Sequence, residues 1–335
     1  MYSLEHLLSI SGDMKYAEIL ESLAYNALPA AFTPDMWAHQ YNTMANQVQA
    51  AEETGEGAPF MTNEGDSHVY GFEPHFGCCT ANFNQGWPKY ALSAFMRSDD
   101  GIAITTLQPS RLATDVNGVP VTVEVCTMYP FRDKAVITVK SDAPVEFELM
   151  VRVPKFAKTP MINGKEAAAG EFYKIRKVFS GTEEIMLTFD VEPEIVTRSR
   201  GLAAIKRGAL VYSLKIEEEC DILQYGGKTK LTGRKPYEVF PHCTYEYYPK
   251  SKFNYALASK NIEFAEVESQ GEHVFSPNGA PVKAYAEMAE IPWVMENGFL
   301  NEVPESLTSQ SPPVKVELIP FGCTNIRVTE FPSRF

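Results

Sequence analysis

Asn117-Gly118-Val119-Pro120-Val121-Thr122-Val123-Glu124-Val125 decides the fold class for most of this chain. Its valines fall on alternate positions, the period of a half-buried strand, and the Asn-Gly pair ahead of them is the strongest short hairpin signal. The alternation returns at Ile185, Leu187, Phe189 and Val191, and Asn163-Gly164 supplies a second turn. Further strands are predicted at 102–107, 135–139, 147–153, 210–216 and 314–319. Short strands separated by turn signals predict β-sandwiches, and about 230 residues of them are enough for two.

Toward the N-terminus the period changes to that of a helix. Leu4, Leu7 and Leu8, then Tyr16, Ile19, Leu20 and Leu23, predict two helices around a Ser11-Gly12-Asp13 break, with Pro29 as the stop. No Ser, Thr, Asp or Asn caps the first helix, so a segment ahead of Met1 is expected. Residues 30–77 read as irregular, and loops of that length usually carry function or are disordered. A short helix is predicted from Thr80, broken near Gly86 and resumed with Pro88 in its first turn. The polar run Arg97-Ser98-Asp99-Asp100-Gly101 reads as a boundary. The expected architecture is α+β and multidomain: helices over 1–97, a β-sandwich over 98–200 and a second over 201–335, its final strand returning to the first.

Thirty Lys plus Arg against 43 Asp plus Glu leave a net charge of −13, which repels phosphate backbones and anionic lipid. With 44% hydrophobic residues the chain can bury a core without staples. Neither a secretory leader nor an apolar run of about 18 residues is present, so no membrane partner is expected. Gly-x-Gly-x-x-Gly, phosphate-loop and Gly-x-Ser-x-Gly patterns are absent, leaving nucleotide chemistry and serine hydrolysis unsupported.

Chemistry concentrates in Glu73-Pro74-His75-Phe76-Gly77-Cys78-Cys79-Thr80-Ala81-Asn82. A carboxylate, an imidazole and two thiols stand just ahead of a predicted helix, whose N-terminal dipole favours thiolate over thiol. Adjacent cysteines are not a Cys-x-x-Cys chelate and supply at most two of the four positions zinc takes. From spacing alone they read as two small buried residues at a helix start or a strained vicinal disulfide, with a redox pair as the third reading. His39 and His75 read singly as bonded loop histidines, and Glu73 as a solvated or capping carboxylate. Cys126, Cys220, Cys243 and Cys323 read as core or surface thiols, and Glu217-Glu218-Glu219 as a solvated turn. Trp37, Tyr41, Trp87 and Trp293 fit either sugar-stacking platforms or ordinary core aromatics.

The strings Met1-Tyr2-Ser3-Leu4-Glu5, Met36-Trp37-Ala38-His39-Gln40-Tyr41, Asn46-Gln47, Phe76-Gly77-Cys78-Cys79-Thr80-Ala81-Asn82 and Gln85-Gly86-Trp87-Pro88-Lys89 resemble the zinc-dependent, cysteine-nucleophile β-L-arabinofuranosidases of glycoside hydrolase family 127 and its relatives. The resemblance continues through Tyr129-Pro130-Phe131-Arg132-Asp133, Arg207-Gly208-Ala209-Leu210 and Phe253-Asn254-Tyr255, ending at Thr329-Glu330-Phe331-Pro332. It implies the last helices of an (α/α)6 barrel followed by β-sandwiches, and a retaining glycoside hydrolase. It also implies that Cys78 attacks the anomeric carbon, that Cys78 and Cys79 both bind zinc, and that the partner is a glycoside or oligosaccharide.

The acid/base glutamate and the Glu-x-Cys zinc ligands of the family lie upstream of the position matching Met1. The chain is therefore expected to be the C-terminal portion of a longer protein, inactive as written. Thr80-Ala81 stand where the better-known arabinofuranosidases have prolines, which leaves the sugar unassigned. His39, Gln40, Tyr41, Glu73 and His75 are the expected substrate contacts, because polar and aromatic mixtures grip hydroxyls and ring faces. The rival reading is a noncatalytic carbohydrate-binding or structural β-sandwich protein with a vestigial half-barrel. Localisation stays open with the cytoplasm favoured, and a homodimer is an open option.

Overall fold

The computed structural model describes residues 1–53, 59–72, 77–223, 244–309 and 311–335. It is mostly strand with few helices, and it divides into two compact units. The first gathers Met1–Tyr25, Gln85–Pro193 and Arg207–Ala209, and the second Asn26–Asn84, Glu194–Lys206 and Leu210–Phe335. Each of the spans 1–97, 98–200 and 201–335 contributes residues to both units.

The first unit is built on two antiparallel strands of 19 residues, Lys134–Arg152 and Phe172–Asp190. The segments predicted at 135–139 and 147–153 are the two halves of the former. The polar stretch between them does not turn the chain; a register shift between Ser141 and Val145 absorbs it. Val119–Thr127 pairs antiparallel with the first half and Gly101–Ile104 parallel with the second. Their hairpin partners, Ser110–Val116 and Phe95–Ser98, lie outside them. With Lys158–Ile162 and Lys165–Glu166 beyond Phe172–Asp190, one sheet of eight strands results. The inward positions Val121, Val123, Val125, Ile137, Val139 and Leu187 are all buried, as the alternation requires.

Asn117 and Gly118 both have positive φ, 53° and 80°, as a two-residue type I′ turn demands, and the Gly118 N–H donates to Asp115 Oδ1 at 2.8 Å. The polar run at Arg97–Gly101 is a hairpin turn too, closed by the Ser98 and Gly101 pair, and lies inside the first unit. A side chain at Gly101 would put its Cβ 1.9 Å from the Glu148 carbonyl oxygen, so only glycine allows the parallel strand this close.

Helices Tyr2–Ser11 and Met14–Ser22 break where the sequence predicts, at Gly12 in the left-handed region and Asp13, whose carboxylate accepts from Lys15 N at 3.0 Å. Pro29 does not stop the second helix. The chain passes through a π-helical turn, Leu23–Ala27, into Leu28–Ala30, where Pro29 sits in a first turn and its missing N–H costs nothing. Among the described residues no helix is long and apolar enough to cross a membrane.

The second unit carries a six-stranded sheet ordered Pro193–Thr197, Ala203–Arg207, Leu210–Leu214, Val314–Pro320, Val282–Glu290 and Tyr255–Glu266. The last strand, Arg327–Val328, pairs with Asn46–Gln47. Asn46 Oδ1 there accepts from the N–H groups of Thr329 and Glu330, and its Nδ2 donates to the Glu330 carbonyl. The run Glu217-Glu218-Glu219 is only in part the solvated turn expected: Glu217 and Glu219 are exposed, and Glu218 is not. Glu218 opens the strand Glu218–Leu223 and accepts from Asn325 Nδ2 at 2.6 Å; burial pushes its carboxyl up to about 7.

Glu53 is a second displaced carboxyl in this unit. Burial first, and then the nearby Glu246 carboxylate, push it up to about 7, while the hydrogen bond from Gln49 Nε2 opposes the shift. Because the folded form holds its proton more tightly than the unfolded chain, the group costs nothing below about pH 4.5 and its penalty grows as pH rises to about 7. Glu53→Gln should therefore leave stability at pH 5 nearly unchanged and raise it by about 1–2 kcal/mol at pH 8. Urea unfolding at the two pH values measures the difference; an equal effect at both would contradict the assignment.

Candidate functional site

The cysteine pair lies in the second unit, in the seven-residue helix Gly77–Phe83. The helix begins three residues before the predicted Thr80, so Cys78 and Cys79 occupy its first turn instead of preceding it. Cys78 is exposed and Cys79 half-buried, and both are free thiols, which removes the vicinal disulfide from this state of the chain. Burial pushes the Cys79 thiol up, and its hydrogen bond and charge interaction with Cys78 push in the same direction.

The helix is held from one side by a small set of contacts. Thr80 Oγ1 donates to the Phe72 carbonyl at 3.2 Å, and Phe83 meets the rings of Phe32 and His39. His39 is in turn fixed by a two-bond pairing with Gly71, 2.9 and 3.0 Å, and its Nδ1 donates to the same Gly71 carbonyl at 3.0 Å. Only 4% of His39 is exposed. Gln40 is equally buried: its Nε2 donates to the His68 carbonyl at 2.6 Å, and its Oε1 accepts from Gln47 Nε2. His39 Nδ1 and the Gln40 amide join loop segments, whereas Tyr41 is half-exposed. Glu73 and His75 lie outside the described residues, as does Cys243.

Beneath this loop region sits a residue that composition and motif did not single out. Arg327 is fully buried, and its guanidinium donates to the carbonyls of Ala30, Met44, Thr324 and Asn325 and to Thr324 Oγ1. Tyr70, eight positions before Cys78, donates its hydroxyl to the Ala30 and Asn325 carbonyls. An arginine flanked by Ile326 and Val328 was the available signal: a charge buried between two apolar neighbours has to be fully bonded. Of the aromatic residues expected as platforms, Trp37 is exposed, while Trp293 is buried and donates Nε1–H to the Asn301 carbonyl.

Two thiol donors suit zinc and make half of a tetrahedral set. Among the described residues no group of three His, Cys, Asp or Glu side chains is placed to hold a metal ion. The fit to zinc is thus half complete within the described chain. What the pair offers there is an exposed sulfur, backed by a second and seated on a helix fixed by aromatic packing.

The family model for the β-L-arabinofuranosidase GH127 middle domain matches residues 101–191, the eight-stranded sheet region. No curated protein matches the chain. Among solved structures, the chain is similar to Ara127N-Se, a GH127 β-L-arabinofuranosidase from Geobacillus stearothermophilus T6, with TM-score 0.65 and 18% identity over 99% of this chain and 48% of that one. A structure described as a glycoside hydrolase gives 0.65 and 17% over 98% and 50%. The GH127 β-arabinofuranosidase BT3674 gives 0.64 and 15% over 99% and 48%. The fold is shared across almost the whole chain, which spans about half the length of the structures it matches.

Proposed function

We propose that this chain is the C-terminal part of a retaining glycoside hydrolase acting on β-L-arabinofuranosides or related sugars, with Cys78 as nucleophile. The observation that carries the reading is the exposed thiol of Cys78, paired with Cys79 on a fixed helix, in a chain that shares its fold with GH127 enzymes. The helices within residues 1–97 are then the last of an (α/α)6 barrel.

In the first step the Cys78 thiolate attacks the anomeric carbon, and the bond from that carbon to the glycosidic oxygen breaks. The leaving oxygen takes a proton from an acid that the resemblance places upstream of Met1. The sugar is left as a thioglycoside on Cys78. Water then attacks the same carbon, gives its proton to the conjugate base, and the sulfur leaves with its electron pair, so two inversions give retention. Zinc, when bound by Cys78 and Cys79 with a Glu-x-Cys pair from the upstream half, would supply the positive charge that keeps sulfur ionised at neutral pH. Contact with the sugar is assigned to His39, Gln40, Tyr41, Glu73 and His75, and the half-exposed Tyr41 is the best placed of those described.

The 335 residues alone should not hydrolyse an aryl arabinofuranoside measurably. General acid/base help is worth roughly 10² to 10⁴ in rate, and loss of the barrel's positioning adds to that. A longer chain covering the other half of the matched structures should turn over and carry a sugar-like adduct on Cys78 after treatment with a cyclitol epoxide. Robust turnover by the 335 residues, or an adduct elsewhere with Cys78 untouched, would overturn the proposal.

A further inference from the structure

The strand Lys134–Arg152 changes partner along one edge. Val119–Thr127 accompanies it as far as Ser141, and Gly101–Ile104 takes over only at Glu148. The opposite edge stays paired with Phe172–Asp190 on both sides of the register shift. The exchange leaves a notch, flanked by the outer strands Phe95–Ser98 and Ser110–Val116. A cavity of about 390 Å³ lies there, entirely within the first unit.

The notch has an apolar floor and a polar rim. Phe147, Ile102 and Leu112 line the floor, with Phe147 buried against the ring of Phe179. On the rim, Arg176 places Nε 3.3 Å from Glu146 and Nη1 3.3 Å from Asp100, which engages two of its five N–H groups. Arg97 donates to Thr114 Oγ1 at 3.3 Å, joining the two flanking strands. Asp115 holds the adjoining turn, and Asp99 stands at the tip of the other. Ser98 lines the same cavity, and its Oγ is buried and without a hydrogen-bond partner among the described residues. A buried hydroxyl left unpaired is costly, and a ligand hydroxyl would relieve it.

The chemistry of the rim narrows the ligand. Two guanidinium groups face four carboxylates, so an anion is repelled. A divalent cation needs converging carboxylates, and no group of three is placed for that among the described residues. Donors and acceptors alternating around an apolar floor suit vicinal hydroxyls above a C–H face. The volume falls at the lower end of the roughly 300–1,000 Å³ of small-molecule sites, which is room for one or two sugar rings.

We infer that this notch is a binding site for a neutral mono- or disaccharide, held by Arg176, Glu146, Asp100 and Ser98. It uses neither cysteine, so it stands whether or not Cys78 is a nucleophile.

The test uses the 335-residue chain, with L-arabinose, D-xylose, D-galactose and an arabinose disaccharide as probes in saturation-transfer NMR and calorimetry. Choline and inorganic phosphate serve as cationic and anionic controls. At least one of the sugars should bind, and Arg176→Ala and Ser98→Ala should each weaken it tenfold or more, while Lys165→Ala, exposed on the opposite edge strand of the same sheet, changes nothing. Arg176 is exposed and its loss should leave the thermal midpoint in place; Arg97→Ala, equally exposed, is the second variant should it not. Sugar binding that persists in the Arg176, Ser98 and Arg97 variants overturns the site. No binding of any of the four sugars, or choline binding in their place, overturns the ligand class.

Discussion

Replacing Arg152 by methionine should lower the stability of the first unit by about 3–5 kcal/mol, the cost of leaving a buried carboxylate without its partner. Arg152 is fully buried, and its guanidinium meets Glu21, also fully buried, and Glu18 Oε1 at 2.8 Å. Burial opposes its charge, and the carboxylates of Glu21 and Glu18 more than offset that, so Arg152 stays ionised. Glu21 additionally accepts from the Leu107 N–H at 2.9 Å and from the Tyr129 hydroxyl at 2.5 Å. These two neutral donors remain in the variant and hold the loss toward the lower end of the range. A second change, Glu21→Gln, removes the stranded charge while keeping an acceptor, and should restore half or more of the loss. Glu18→Gln alone should cost less than about 1 kcal/mol, because that carboxylate is partly solvated. Urea unfolding of the three variants measures these changes; a loss below 1 kcal/mol for Arg152→Met would show that Glu21 finds water or another partner.

The same ion pair marks where the sequence was legible and where it was not. The strands at Val119–Thr127 and Val314–Pro320 and the Asn117-Gly118 turn follow from alternation and turn chemistry, which act within a few residues. A cut between residues 97 and 98, drawn from local polarity, would part Arg152 from Glu18 and Glu21, a pairing across more than 130 positions that no local pattern announces. Pro29 deceived because a π-helical turn shifts the hydrogen-bond frame, placing it in a fresh first turn. Glu218 deceived because its partners, Asn325 and Arg327, lie over a hundred residues away. Several strings that carry the family resemblance hold the fold together: Asn46-Gln47 clamps residues 327–330, Tyr129 binds Glu21, and Asp133 pairs with Arg207. Such strings mark a shared fold more directly than a shared substrate. The notch in the eight-stranded sheet was invisible for the same reason, since it exists only through the register at which Lys134–Arg152 changes partner.

Exchanging the two cysteines separately for serine should split their roles, in a chain that also covers the half of the matched structures this one does not. Cys78→Ser keeps a side chain of similar shape but replaces sulfur by a hydroxyl far harder to ionise, so turnover should fall by at least about 10³-fold and no adduct should form with a cyclitol epoxide. Adding zinc should not restore it. Cys79→Ser leaves the exposed Cys78 sulfur on the same helix turn and removes one soft donor. Its turnover should fall with its zinc content and recover in part as zinc is raised. In the bare chain burial already pushes the Cys79 thiol up, so its ionisation should depend on a bound cation. Two readouts besides rate keep the assignment open to failure: metal content by elemental analysis, and the mass of the Cys78 peptide after probe treatment. An adduct on Cys79, or a Cys78→Ser protein revived by zinc, would reverse the roles, because a sulfur that only binds metal can be replaced by raising metal and a sulfur that forms the bond to sugar cannot.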